Sequence, residues 1–106
     1  MNTFEKIHSN PKTLQSILNN YREQGKTIVF GNGCFDLLHV GHVRYMEDAK
    51  NLGDILVMAV NTDSSIRSNV GREPAINDFY ERMELVAALA AVDFVVPLED
   101  SPPISL

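Results

Sequence analysis

Apolar positions along this chain follow two different periods. Ile28-Val29-Phe30, Ile55-Leu56-Val57-Met58-Ala59-Val60 and Val92-Asp93-Phe94-Val95-Val96 are short runs dominated by β-branched and aromatic side chains. Runs of that length, bounded by glycine, asparagine or aspartate, predict buried strands. Between them the spacing becomes helical. Leu14, Ile17, Leu18 and Tyr21 share one face of a helix predicted over 11–24, with Asn10-Pro11 as its start signal and Gly25 as its stop. Val40, Val43, Met46, Ala49 and Leu52 recur at helical spacing up to Gly53, with the Met and Tyr side chains of this stretch read as core. Asp78 is a cap for a third helix running to about Ala90, with Met83, Val86, Ala87 and Leu89 or Ala90 turned inward.

Strand, helix and strand in succession form a βαβ unit, whose crossover is right-handed and whose ligand lies beyond the carboxyl ends of the strands. The alternation predicts an α/β, Rossmann-like three-layer fold with a parallel sheet and its first strand central. One domain is expected over 1–106: an N-terminal helix at 11–24, a nucleotide-binding core at 26–97 and an extended tail at 97–106, which holds three of the five prolines. Residues 64–68 are expected to form a short helix. Residues 69–77, with Gly71 and Pro74, are expected to form a loop.

The chemistry concentrates directly after the first strand. Residues 31–42 read Gly-Asn-Gly-Cys-Phe-Asp-Leu-Leu-His-Val-Gly-His. A strand, a glycine turn and a helix start together make an anion cradle, because turn amides and the helix dipole both attract phosphate. His39 and His42, three apart at that helix start, can reach the same phosphate oxygens. Zinc ligation by this pair lacks a recognisable ligand set, since only His8 and Cys34 remain to complete it. A dinucleotide fingerprint beginning at Gly31-x-Gly33 would need its third glycine where Asp36 stands, and a carboxylate there repels pyrophosphate. Asp36 itself fits either a hydrogen bond within the turn or an orienting role toward an acceptor or metal.

Composition narrows the choice of partner. A net charge of −5 opposes nonspecific nucleic-acid binding, so a polyanionic ligand must be held by a local positive site and an accompanying metal ion. Cys34 is the sole cysteine, which excludes an internal disulfide; it reads as a small residue in a tight turn rather than a thiol with a partner base. The apolar runs are far short of a membrane span, and residues 1–5 show no basic stretch followed by an apolar one. A cytoplasmic protein with no membrane partner is expected.

Phe35-Asp36-x-x-His39-x-Gly41-His42 after a glycine turn resembles the H-x-G-H signature of the nucleotidyltransferase superfamily that includes the cytidylyltransferases. The longer run from Asn32 to Tyr45 is most similar to its heptose 1-phosphate adenylyltransferase branch, which makes ADP-heptose. The likeness continues through Gly53-Asp54, residues 60–65, residues 81–89 and Val92-Asp93. It implies ATP and a sugar phosphate as substrates, with Mg2+ accompanying the nucleotide. It also implies that the amides of Gly33, Cys34 and Phe35 hold the phosphates, with Asp36 and Gly41 in the same nucleotide-binding set, while His39 and His42 stabilise departing pyrophosphate. Arg82, which alone would read as a solvated helical arginine, becomes a neutraliser of transition-state charge, and Asp63 binds on the acceptor or ribose side.

The chain departs from the family pattern at Val70, where relatives carry lysine, and at Gly31, where they often carry threonine. Arg67 and Arg72 are substitutes for the lysine. The superfamily's second, Ser/Thr-rich signature does not occur by Leu106. A fragment of a longer enzyme or a reduced relative is therefore expected, with an uncovered sheet edge favouring a homodimer.

Overall fold

The computed structural model describes residues 1–63 and 78–99. A single 3-10 turn at Phe4–Lys6 precedes helix α1 (Pro11–Glu23), strand β1 (Ile28–Gly33), helix α2 (Val40–Lys50), strand β2 (Ile55–Asn61), helix α3 (Phe79–Ala87) and strand β3 (Phe94–Leu98). The start and stop signals of the first helix act as read. The Asn10 side chain accepts from the Lys12 amide, and Pro11 stands at the first helical position, where its missing N–H costs nothing. Gly25, at φ +80°, closes α1: its amide donates to Arg22 O, and the Lys26 amide to Tyr21 O. That reciprocal pair is a Schellman turn, which a residue with a side chain would strain.

All three strands are parallel, in the order β1-β2-β3. Ile28 pairs with Ile55 and Gly33 with Val60, and Val57 pairs with Phe94. On one face of the sheet, Leu56, Met58, Val60 and Val95 pack against Met46 and Ala49 of α2 and Met83, Val86 and Ala87 of α3. On the other, Val57, Phe94 and Val96 meet Leu14 and Leu18 of α1. Helices cover both faces of β2, which is why that strand reads as an unbroken apolar run. The three-layer α/β, Rossmann-like arrangement stands.

Several finer expectations do not hold. Among the described residues β2 is the central strand and β1 lies at an edge, so Phe30 is 51% exposed. The other edge is occupied: Ile7 bridges to Val95, and the His8 amide donates to Val95 O. Helix α2 ends at Lys50, before Gly53, and only Met46 and Ala49 of its five apolar positions are fully buried; Val40 and Leu52 are exposed. Beside α2 lies an edge strand that presents glycines, so the covered stripe is narrow. Tyr45, expected in the core, is 46% exposed. Helix α3 stops at Ala87 rather than near Ala90. Pro97 and Leu98 continue β3 instead of opening a tail. Proline is tolerated there because its missing N–H costs no ladder bond on the side of the strand that β2 does not cover. The expected helix at 64–68, the loop at 69–77 and the tail beyond 99 lie outside the described residues.

Candidate functional site

Strand β1 runs out at Gly33, and residues 34–38 turn the chain into α2. Phe35 holds this turn in a left-handed conformation, φ 51°, which a bulky side chain adopts only when its surroundings enforce it. Its buried ring lies over Gly33, where a Cβ would stand 2.7 Å from the Phe35 ring. The glycine is therefore needed for ring packing as well as for backbone approach. The ring meets His42 edge-on, with centroids 5.4 Å apart. Phe35, expected to act through its amide, also backs a histidine; a bulky residue two positions after a glycine was the available signal.

His39 is the cap of α2. Its Nδ1 accepts from the Gly41 amide at 3.0 Å, and His42 Nδ1 accepts from the His39 amide at 3.3 Å. This is a reciprocal capping box built from imidazoles. The rings lie 4.0 Å apart between centroids and 33° from parallel. A Cβ at Gly41 would stand 2.8 Å from His39 Cε1, which gives a physical reason for glycine between the two histidines. Because each Nδ1 accepts a hydrogen bond, the proton of each neutral imidazole sits on Nε2. Two Nε2–H donors thus stand at the start of the helix. Burial, and then the charge on His39, lowers the pKa of His42 below the ordinary 6.5, keeping it neutral near pH 7.

Residues 32–37 with His39, His42 and Tyr45 line an open cleft of about 490 Å³ at the carboxyl edge of the sheet. The structure thus brings Gly33, Cys34, Phe35, Asp36, His39 and His42 together, with Gly41 beneath the histidine pair. Tyr45 joins them unpredicted.

Arg82 occupies a different place from the solvated position that a helical arginine suggests. It is 0% exposed. Its Nη1 donates to Cys34 O at 2.7 Å and Asn61 O at 2.6 Å, and its Nη2 to Asp63 Oδ1 at 2.7 Å. The guanidinium carbon stands 5.8 Å from the Phe79 ring centroid. A planar fork can serve two carbonyls and a carboxylate at once, whereas a lysine cannot match that geometry. The arginine ties the phosphate turn after β1 to the end of β2 and to Asp63, whose side chain is 37% exposed. Cys34 contributes its carbonyl to this clamp, and its thiol approaches Asn61 Oδ1 at 3.8 Å. Arg67, Val70 and Arg72 lie outside the described residues. Among the described residues, no group of three or more His, Cys, Asp or Glu could hold a metal ion, and no helix is long and apolar enough to cross a membrane.

A glycine turn, a histidine-capped helix and the end of a parallel strand form one continuous segment, and the cytidylyltransferase-like family model matches residues 30–104, which begin inside it. The chain belongs to the cytidylyltransferase-like family. Its relatives include proteins named bifunctional protein HldE. That of Sulfurimonas denitrificans is 48% identical over 93 residues, covering 88% of this chain and 20% of the relative. That of Actinobacillus pleuropneumoniae serotype 5b is 52% identical over 82 residues, covering 76% and 17%. This member of the family therefore spans about one fifth of those relatives' length. A solved structure, the lipopolysaccharide core biosynthesis protein from Thermoplasma volcanium GSS1, superposes with a TM-score of 0.64 at 40% identity, covering 68% of this chain and 57% of that one. The resemblance to the nucleotidyltransferase superfamily, and within it to the heptose 1-phosphate adenylyltransferase branch, stands on these comparisons.

Proposed function

We propose that this chain carries the nucleotidyl-transfer site of an enzyme that joins AMP from ATP to D-glycero-D-manno-heptose 1-phosphate, giving ADP-heptose and pyrophosphate. The observation that carries this reading is the imidazole capping box, which leaves two Nε2–H donors beside the glycine turn at a helix N-terminus. The name of the structural neighbour, a lipopolysaccharide core biosynthesis protein, supports a lipopolysaccharide context.

The acceptor phosphate is already an anion at neutral pH, so its oxygen attacks the α-phosphorus without a general base. The bond from the α-phosphorus to the bridging oxygen breaks, and pyrophosphate leaves with the electron pair. Catalysis then consists of positioning and charge stabilisation. Amides of Gly33, Cys34 and Phe35 hold the phosphates, with Asp36 fixing the turn and Gly41 leaving room for the histidine pair. His39 and His42 donate to the departing group. Arg82 contributes positive charge and, through the Cys34 carbonyl, holds the turn in place. Asp63 faces the acceptor or ribose. Mg2+, entering with the nucleotide, would supply further neutralisation of the triphosphate charge.

The family's description as cytidylyltransferase-like favours a second reading, CTP with glycerol phosphate, by the same mechanism. Pyrophosphate release measured with each nucleotide–acceptor pair separates them: turnover is expected with ATP and heptose 1-phosphate, and preference for CTP would overturn the first reading. Absence of turnover alongside retained nucleotide binding would assign the chain a binding role only. The exposed Phe30 on the edge strand favours a homodimer. Light scattering should give twice the monomer mass, reduced to one by Phe30→Lys.

A further inference from the structure

We propose that Tyr45 is a binding residue for the hydroxyl groups of a phosphorylated sugar, held in position by the absence of a side chain at Gly31. This deepens the nucleotidyl-transfer reading and rests on it. Tyr45 follows His42 by three positions on α2, as His42 follows His39, so the three share one helix face and line the same cleft. Its hydroxyl reaches across to β1: a Cβ built on Gly31 would stand 2.8 Å from that oxygen and 2.9 Å from Met58 Sδ. Glycine at position 31 therefore admits the tyrosine hydroxyl against the strand backbone.

That hydroxyl has no hydrogen-bond partner among the described residues. A phenol lining a cleft with neither its donor nor its acceptor used is open to a ligand. The two ends of the cleft differ in chemistry. Glycine-turn amides and the histidine pair form the phosphate end. Toward Gly31 the lining side chain is that of Tyr45, which carries no charge and can both donate and accept. Neutral two-way hydrogen bonding suits hydroxyl groups better than phosphate. A ligand whose phosphate occupies the histidine end would place its polyhydroxylated portion beside Tyr45, whether that portion is the acceptor sugar or the nucleotide ribose.

The test measures binding of tripolyphosphate, ATP and D-glycero-D-manno-heptose 1-phosphate to the wild-type chain, Tyr45→Phe and Gly31→Thr, with folding checked by thermal denaturation. Tyr45→Phe removes one oxygen and should weaken the sugar-bearing ligand roughly fivefold, the scale of one neutral hydrogen bond, while tripolyphosphate binding stays within about twofold. Gly31→Thr should reproduce that pattern by displacing the ring. Loss confined to heptose 1-phosphate assigns the acceptor sugar, and loss confined to ATP assigns the ribose. Equal weakening of all three probes, no weakening of any, or failure of both sugar-bearing ligands to bind the wild type would overturn the proposal. Tripolyphosphate binding to the wild type reports separately on the phosphate site, so failure of the broader reading is distinguishable.

Discussion

Both ends of the sheet are tied by a helical cation that grips a backbone carbonyl and a carboxylate, yet the two ties differ in burial. At the amino end, Lys50 Nζ donates to Asp54 O at 2.7 Å and pairs with Asp93 Oδ2 at 2.5 Å, and the Leu56 amide donates to the same carboxylate oxygen. The lysine side chain remains 32% exposed. At the carboxyl end, Arg82 is wholly enclosed and serves two strand ends at once. Water can replace much of what Lys50 does. It cannot reach Arg82, so the carboxyl-end tie makes the phosphate turn rigid where a ligand must be met by preorganised donors.

The difference should appear first in stability. Arg82→Ala would remove the donor shared by the Cys34 and Asn61 carbonyls and Asp63, and chemical denaturation should show a loss of about 3 kcal/mol. Arg82→Lys should recover only part of that loss, because one ammonium cannot reproduce the fork. Full recovery by lysine would mean that charge alone matters and that the two ties are equivalent.

Function should separate the ends next. His39→Ala and His42→Ala should each slow pyrophosphate release by roughly two to three orders of magnitude, the scale of losing one preorganised donor. Stability should fall by only about 1 kcal/mol, the worth of a helix cap. Wild-type rates in both variants would remove the leaving-group role from the carboxyl end.

Lys50→Met, at the amino end, should cost about 1 kcal/mol and leave nucleotide affinity unchanged, since a partly exposed pair is screened by solvent. An effect as large as that of Arg82→Ala would erase the contrast.

The smallest expected effect is on pH dependence. The folded-state pKa of His42 is depressed below its unfolded value of 6.5, so the unfolded chain binds the proton first as pH falls. Stability from this group is complete above pH 6.5 and is lost as pH drops toward the folded pKa. His8, also depressed by burial, acts in the same sense. Thermal melts between pH 7.5 and 5 should show a decline that His42→Asn reduces; an unchanged slope would place the titration elsewhere.

Strand and helix positions were legible in the chain because they depend on local periodicity, caps and glycine stops. Asn10, Gly25 and Asp78 act as read, and residues 31–42 carry the cleft because a glycine turn at a helix start is itself a phosphate-binding geometry. Three features were decided by tertiary structure alone. The edge position of β1 among the described residues depends on strand order, which apolar runs do not encode, so Phe30 is exposed despite its strand-like context. Tyr45 left the predicted core because its helix lies beside glycines rather than larger side chains. Arg82 became a buried clamp because Cys34, Asn61 and Asp63, distant from it in the chain, converge only when β1 and β2 lie side by side beneath α3.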